Sequence, residues 1–261
     1  MDGDSHEVSK PRVLLTNDDG YQAAGLKALA QELREIAEVS IVAPSWERSG
    51  AAQSLTLRQP IVCHATGENE WAIDGTPADC VIVALHKLLP APPHLVISGI
   101  NHGANLGENV YYSGTVGAAR EAVIHHVPGL AMSLCSKRAN SDFAAAAKIA
   151  RRTVELILKE GLPSQVLLNV NVPESWSGTV RFTRQSKKIT RTVLREGEDP
   201  RGQLYFWLSE QRLDVGMELD AESDYAAIFA GEASVTPLHL DPTHTESLNH
   251  LSHWAPLLGG K

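Results

Sequence analysis

The chain has 261 residues, of which 43% are hydrophobic and 21% charged, and this composition is compatible with one large α/β domain or one domain plus an appendage. Its net charge of -8 argues against a surface that coats a nucleic-acid polymer. No apolar run approaches the roughly 18 residues needed to span a membrane, and the polar, acidic start of the chain does not resemble a signal peptide. The scattered cysteines lack metal-binding spacing and favour a reducing compartment, so we expect a cytoplasmic protein that partners neither membranes nor nucleic-acid polymers.

Strands and helices alternate through the first two thirds of the chain. The apolar run from Val13 predicts a buried strand, residues 25–36 place leucines on one helical face, and residues 39–43 predict the next strand. This strand–helix–strand unit spans about thirty residues, which predicts parallel pairing with a right-handed crossover. Further strands are predicted at 95–97, 129–133 and 165–172, and further helices at 78–89, from residue 113 onward and at 143–159.

Two regions depart from this alternation. Short runs at 55–57, 61–64 and 71–73 predict a small antiparallel extension. Beyond residue 173 we predict, in order, a strand at 179–183, a charged and solvated loop at 187–202, a strand at 204–208, a helix at 224–229, a strand at 233–237 and a helix at 244–251. We therefore divide the chain into a loose N-terminal tail (1–11), a core (12–177) and a C-terminal extension (178–261) that completes the core.

The first predicted strand ends in two adjacent carboxylates, Asp18 and Asp19, followed by Gly20. Carboxylates at the carboxyl end of a strand in an open α/β sheet lie where ligands bind in that architecture. Mg²⁺ and Mn²⁺ prefer such oxygen ligands, so the pair indicates a site for a divalent metal ion. In isolation, the same residues are equally compatible with a helix cap.

Three more loops are expected at the same edge of the sheet, at 45–50, 98–107 and 112–117. Ser49 offers a hydroxyl and Asn101 an amide oxygen. Together with the two aspartates they make a plausible incomplete shell for an octahedral ion, which water or substrate oxygens would complete. Ser49 alone would be read as an ordinary turn residue.

The segment from Ser113 to Thr115 opens a predicted helix, where backbone N–H groups and the helix dipole favour an anion such as phosphate. Either side chain is also an ordinary N-cap candidate. A metal beside a phosphate cradle implies phosphoryl chemistry. The predicted phosphate- and substrate-binding residues are Asn17, Gly50, Ser98, Gly99, Ser113, Gly114 and Thr115.

Seven motifs occur in a specific order along the chain: LTNDDG (15–20), AP with RSG (43–50), DGTPADCV (74–81), SGINHGANLG (98–107), YSGTVGAARE (112–121), LNVNVP (168–173) and SVTPL (234–238). This ordered set resembles the SurE family of stationary-phase survival proteins, which are metal-dependent nucleoside monophosphate phosphatases. The resemblance covers residues 12–173 strongly and 224–243 more weakly. It implies a Rossmann-like, mostly parallel sheet flanked by helices, with a C-terminal β-hairpin and tail extension that builds a homodimer or homotetramer.

The resemblance also implies that Asp18, Asp19, Ser49 and Asn101 bind the metal, and that the substrates are nucleoside 5′- and 3′-monophosphates, with short polyphosphate as a further possibility. We therefore predict a 5′-nucleotidase in which the metal, Mg²⁺ or Mn²⁺, activates water, and in which Asp18 and Asp19 are catalytic. Asp19 is expected to orient or deprotonate that water.

Three rival functions remain. A phosphatase that uses Asp18 as a covalent nucleophile normally carries Asp-x-Asp with a distant lysine, whereas here Asp19 is adjacent. A non-catalytic nucleotide-binding sensor or scaffold would bind nucleotides without releasing phosphate. A nucleotide-sugar transferase would need an acceptor groove, which the sequence does not identify.

Overall fold

The structure is a computed structural model and describes residues 10–136, 138–187, 190–212 and 220–259. Most of the predicted N-terminal tail therefore lies outside the described residues. The strands are β1 (Arg12–Thr16), β2 (Glu38–Pro44), β3 (Cys63–Gly67), β4 (Glu70–Ile73), β5 (Leu95–His102), β6 (Gly129–Cys135), β7 (Val166–Pro173), β8 (Val180–Phe182), β9 (Thr190–Glu198), β10 (Leu204–Arg212) and β11 (Ala233–His239). The α-helices are α1 (Ala24–Leu33), α2 (Pro77–Val83), α3 (Gly114–Ile124), α4 (Ala144–Glu160), α5 (Asp224–Phe229), α6 (Thr245–Leu251) and α7 (Ala255–Leu258). None of the helices in these described ranges is both long and apolar enough to cross a lipid bilayer.

In the described residues, nine strands form one sheet in the order β3-β4-β2-β1-β5-β6-β7-β11-β8. Strand β1 pairs in parallel with both β2 and β5, as the strand–helix–strand pattern predicts. Side chains alternate across the sheet, so Val13 and Leu15 face α1 and α4 while Leu14 faces α2 and α3. Complete burial of each of these leucines contributes about 1.5–3 kcal/mol. The predicted fold class, a mostly parallel Rossmann-like sheet covered by helices, is confirmed.

Helix α2 begins where the sequence predicts. The Thr76 hydroxyl accepts a hydrogen bond from the Asp79 N–H at 3.1 Å, and the Asp79 carboxylate accepts one from the Thr76 N–H at 2.8 Å. This capping box places Pro77 in the first turn, where its missing N–H is harmless. The α-helix ends at Val83, and a π-helical turn over Ala84–Leu88 completes the predicted helical segment.

Strand β5 is longer than predicted, because it continues through residues 98–102 that the sequence assigns to a loop. The register against β6 shifts between Ser98 and Asn101, which marks a bulge. A Cβ on Gly99 would lie 2.3 Å from the Met132 carbonyl oxygen, so the glycine allows close approach of the two strands. The glycine-rich composition that suggests a loop here serves a tight strand contact.

The predicted extension at 55–73 is only partly correct. Residues 55–57 form no strand, and Leu57 is 83% exposed, so this run does not pack its apolar side chain against the core. Strand β4 pairs antiparallel with β3 but parallel with β2. The two strands therefore widen the main sheet instead of forming a separate one.

The C-terminal extension contributes two structures. Strand β11 pairs antiparallel with β7 and carries β8 at the sheet edge. The prediction of a solvated loop at 187–202 is wrong, because β9 occupies most of that segment and pairs antiparallel with β10 as a two-stranded hairpin. Strand β10 contains residues that favour β-structure, including Tyr205, Phe206 and Trp207, and its pairing stabilises the charged residues of β9 as a strand.

Candidate functional site

The strand order reverses at the centre of the sheet, because the chain runs from β1 outward to β2 and then returns to β5 on the other side of β1. Ligands of open α/β sheets bind at the carboxyl ends of the strands at such a reversal. Asp18 follows β1 and Asn101 lies near the end of β5. A cavity of about 610 Å³ opens there, which we call the carboxylate cavity; its lining includes Asp18, Ser49, Gly50, Asn101, Tyr112 and Ser113.

Asp18 lies at the bottom of this cavity and is only 4% exposed. Its Oδ1 accepts a 2.6 Å hydrogen bond from the Thr115 hydroxyl. Helix α3 approaches Asp18 closely because residue 114 is glycine; a Cβ there would lie 2.8 Å from the Asp18 Cβ. Burial raises the pKa of Asp18 to about 6, the Thr115 hydrogen bond lowers it, and the charge of Asp19 raises it. The buried negative charge therefore favours the binding of a proton or a metal cation.

The Asp19 side chain is held by the backbone of strand β5. Its Oδ2 accepts a 2.9 Å hydrogen bond from the His102 backbone N–H. Burial raises the pKa of Asp19, the His102 N–H lowers it, and the nearby Glu47 carboxylate raises it. Asp19 lines a smaller neighbouring cavity of about 220 Å³, and His102 lines both cavities. Asp19 therefore does not itself line the carboxylate cavity, although Asp18, its neighbour in the chain, and His102, its hydrogen-bond partner, do.

Ser49 and Asn101 bring neutral oxygen atoms to the same cavity. The Ser49 hydroxyl donates to Glu47 Oε1 at 2.8 Å, and so its oxygen retains lone pairs for a ligand. The loop before Ser49 is anchored by the Arg48 N–H, which donates to the Asp18 carbonyl oxygen at 2.7 Å. The Asn101 amide nitrogen donates to the Gly103 carbonyl oxygen at 2.9 Å, and so the amide oxygen is the Asn101 atom that could bind a cation.

This donor set fits a hard divalent cation. It combines two carboxylates whose pKa values are raised by burial with a hydroxyl and an amide oxygen. In the described part of the chain, no group of three or more His, Cys, Asp or Glu side chains is arranged to hold a metal ion. A metal bound here would therefore depend on the neutral oxygens, with water or substrate oxygens as its remaining ligands.

The predicted anion site at the start of α3 contains two different side-chain roles. The Ser113 hydroxyl lines the cavity and caps the helix by accepting from the Val116 N–H at 3.1 Å. The Thr115 side chain is fully buried, and its hydroxyl is directed at Asp18 and not into the cavity. Gly50 also lines the cavity, and its backbone φ of +77° is a conformation that favours glycine.

The remaining predicted binding residues lie behind the cavity wall. Asn17 is fully buried, and its amide nitrogen donates to the Gly20 carbonyl oxygen at 2.9 Å, which stabilises the turn that presents Asp18 and Asp19. Ser98 is fully buried within β5, and Gly99 provides the close strand contact. These three residues shape the site without lining the carboxylate cavity.

A buried asparagine network supports Thr115, and its asparagines are not among the site residues predicted from the sequence. The Asn105 side chain donates to the hydroxyls of Thr115 at 3.3 Å and Ser133 at 2.9 Å. The Asn105 backbone is held by Asn171, which accepts from its N–H at 2.8 Å and donates to its carbonyl oxygen at 3.0 Å, and by Asn169, which donates to the same oxygen at 2.8 Å. The signal was available: two asparagines on the same face of an apolar buried strand require polar partners.

The C-terminal extension also reaches the site. Thr192, Leu208 and Ser209 of the β9–β10 hairpin line the carboxylate cavity. In addition, the fully buried Asp224 accepts a 2.7 Å hydrogen bond from the Gly107 N–H and so holds the loop that carries Asn105. No local sequence pattern links these residues to the aspartates, because the contact is made only by the folded topology.

Comparisons with known proteins agree with this architecture. A family model described as survival protein SurE matches residues 13–192. A relative from Pelobacter propionicus, named 5′-nucleotidase SurE, is 43% identical over 246 residues, which cover 93% of this chain and 98% of the relative. A relative of the same name from Vibrio campbellii is 45% identical over 260 residues, which cover 97% of this chain and 98% of the relative. The crystal structure of the SurE protein from Aquifex aeolicus matches with a TM-score of 0.83 at 36% identity and covers 94% of this chain and 100% of its own.

Proposed function

The chain belongs to the SurE family, and from that premise we propose that it is a metal-dependent 5′-nucleotidase that hydrolyses nucleoside 5′- and 3′-monophosphates to nucleoside and phosphate. The observation that carries the proposal is the buried Asp18 carboxylate at the sheet reversal, in one cavity with Ser49, Asn101 and the start of α3. Short-chain polyphosphate, which presents the same terminal phosphoryl group, is a further candidate substrate.

In this proposal Asp18, Asp19, Ser49 and Asn101 hold a divalent ion, Mg²⁺ or Mn²⁺. When bound, such an ion supplies Lewis acidity that lowers the pKa of water and polarises a phosphoryl oxygen. Thr115 keeps Asp18 in position by donating to Oδ1. Gly114 permits the short approach between the helix and the carboxylate.

The chain's own groups provide the rest of the chemistry. The Ser113 hydroxyl, which lines the cavity and can still donate its proton, and the Gly114 N–H at the start of α3 bind the phosphoryl oxygens, whereas the Val116 N–H already donates to Ser113. Asp19, held through Oδ2 by the His102 N–H, uses Oδ1 to orient the attacking water and to accept its proton. As water forms the new P–O bond, the ester P–O bond breaks; the leaving oxygen takes a proton from solvent water and departs as the nucleoside hydroxyl, Asp19 returns its proton to solvent, and inorganic phosphate is the second product.

The decisive test is phosphate release from a panel of nucleoside monophosphates, with each divalent metal and with a chelator. We expect turnover with Mg²⁺ or Mn²⁺, none with chelator, and loss of turnover in Asp18→Ala. The matched control is Asp241→Asn, which changes an exposed aspartate outside the cavity lining and should retain wild-type activity. Metal-dependent turnover that survives Asp18→Ala would refute the proposed ligand set.

Asp19 requires its own variant. Asp19→Asn at saturating metal should lower kcat strongly if the carboxylate accepts the proton of water, since an amide does not act as a base. A near-normal kcat would eliminate that role. Tight nucleotide binding without phosphate release under any metal would instead support a nucleotide sensor or scaffold.

We also propose that the protein acts in the cytoplasm as a homodimer or homotetramer and that the C-terminal extension mediates assembly. Support comes from the β9–β10 hairpin, which exposes Leu194, Phe206 and Trp207 by 61%, 54% and 69%. Light scattering coupled to gel filtration tests this, with Phe206→Ser and Trp207→Ser expected to reduce the assembled fraction. A wild-type protein that is monomeric at micromolar concentration would contradict it.

A further inference from the structure

The carboxylate cavity changes character from its bottom to its mouth. Asp18 and Ser113, at the bottom, are only 4% and 7% exposed. Two large apolar side chains that line the same cavity, Tyr112 and Leu208, are 63% and 74% exposed. The cavity therefore combines a buried polar end with an open side on which two large apolar side chains stand among exposed polar residues such as Ser49 and Thr192, and this pattern suits a phosphate joined to a flat ring.

From this arrangement we infer that Tyr112 and Leu208 form the binding wall for the nucleobase of the substrate. The inference rests on the proposed function and names the residues that would distinguish a nucleotide from any other phosphate ester. At about 610 Å³, the cavity is within the range of about 300–1,000 Å³ that is usual for organic ligands. Inorganic phosphate alone would fill only a small part of it.

Tyr112 is built to act as a platform. Its carbonyl oxygen accepts a hydrogen bond from the Ala52 N–H at 3.1 Å, and its own N–H donates to the Asn109 carbonyl oxygen at 3.0 Å, so the backbone is fixed on both sides. It directly precedes Ser113, the N-cap of α3. Tyr112 and the N-cap Ser113 are thus neighbours in the chain and line the same cavity, so a ligand with its phosphate at the start of α3 has the Tyr112 side chain in the same binding space.

Leu208 supplies the second surface from a different part of the chain. It belongs to β10, and its neighbour Ser209 is held by a hydrogen bond from its hydroxyl to the Val193 carbonyl oxygen at 3.2 Å. An apolar side chain this exposed gains free energy when a ligand removes it from water. A base resting on Tyr112 provides such a cover, because bases stack on aromatic side chains and pack against aliphatic ones.

The chain supplies matched controls for both residues. Tyr111 is 60% exposed and adjacent to Tyr112, but it does not line the carboxylate cavity. Leu204 is 49% exposed on the same strand as Leu208 and likewise lies outside the cavity lining. Each pair separates a specific contact with the ligand from a general effect of removing an exposed apolar side chain.

The test compares adenosine 5′-monophosphate with ribose 5-phosphate, which keeps the phosphate and sugar but lacks the base. With saturating Mn²⁺, Tyr112→Ala should lower kcat/KM for the nucleotide by about tenfold, the effect of losing one stacking contact, and change that for ribose 5-phosphate by less than about twofold. Tyr112→Phe should retain the preference, Leu208→Ser should weaken it in the same direction, and Tyr111→Ala and Leu204→Ser should leave it unchanged.

Equal losses on both substrates in Tyr112→Ala, or no loss on either, would overturn the inference. Wild-type enzyme that hydrolyses ribose 5-phosphate as well as the nucleotide would also overturn it, while leaving a phosphatase function intact. If neither substrate is hydrolysed, the proposed function fails. Calorimetry then measures the affinity of wild type and Tyr112→Ala for the same two compounds, and a loss of affinity for the nucleotide alone would support the base contact, whereas equal changes for both compounds would refute it.

Discussion

Because the Asp18 carboxylate is buried, the substitution Asp18→Asn should have opposite effects on stability and on activity. In the metal-free protein, burial raises the pKa of Asp18 from 3.8 to about 6, so the native state holds this carboxylate against an unfavourable free energy at neutral pH. Because each pKa step corresponds to about 1.4 kcal/mol, the ionised carboxylate costs about 3 kcal/mol of native-state stability at pH 7. Asp18→Asn removes the charge and keeps an oxygen that accepts from Thr115.

We therefore expect metal-free Asp18→Asn to be more stable than metal-free wild type at pH 7, by about 2–3 kcal/mol in the free energy of unfolding. The sign of the pH dependence follows from the raised native pKa. Below pH 3.8, Asp18 is neutral in both native and unfolded states, and the gain vanishes. It grows as the pH rises from 3.8 to about 6 and is constant above that value.

The assay is urea unfolding of both proteins in chelator from pH 4 to pH 8, with Asp241→Asn as control. The pKa of Asp241 is lowered by its hydrogen bonds to Thr243, so removal of that charge should give no gain in stability. Addition of Mn²⁺ should then stabilise wild type more than Asp18→Asn, because the variant lacks one of the two carboxylates of the proposed ligand set. Equal stability of the two metal-free proteins at pH 7, or a gain that is the same at pH 4, would refute the reasoning.

Three further outcomes are expected. Thr115→Val should weaken metal affinity by about 10- to 100-fold, since a hydrogen bond to a charged group contributes about 1.5–3 kcal/mol, whereas Thr115→Ser should restore the affinity. Metal titration by calorimetry measures the affinity, and equal values in the two variants would contradict this role of Thr115. Gly114→Ala should destabilise the protein by about 1–3 kcal/mol in thermal or urea unfolding and lower kcat, because its Cβ would lie 2.8 Å from the Asp18 Cβ, and wild-type values for both would show that α3 can move away. Asp224→Ala should cost about 1–3 kcal/mol of stability by leaving the Gly107 N–H without its acceptor, with faster amide exchange at residue 107, and unchanged exchange there would argue against the contact.

Features with a local physical cause could be predicted from the sequence. The apolar run before Asp18 and the period of the leucines in α1 set a buried strand and an amphipathic helix, and both occur. Thr76 and Pro77 define a helix start through chemistry contained within four residues. The parallel core follows from this alternation, which is why Asp18, Ser49 and Asn101 could be expected at one edge, where the structure brings them into one cavity.

Features decided by distant contacts could not be predicted in the same way. Residues 98–102 resemble a loop in composition, but their close contact with β6 makes them a strand. The charged segment at 190–198 becomes a strand only because β10 pairs with it. Likewise, the hydroxyl of Thr115 resembles a phosphate ligand until the fold places it against Asp18. In each case the partner lies far away in the sequence, where local patterns carry no information about it.

The hydrogen bond between Asp224 and Gly107 has a consequence for how the protein is made. It joins positions 117 residues apart, and β11, which adds its strand to the sheet beside β7, follows it in the chain. A chain still being synthesised thus presents the two aspartates long before it contains the residues that secure the loop opposite them. We expect the enzyme to become competent only after residues 224–239 leave the ribosome and dock, so the synthesis of this segment sets the earliest moment of catalysis.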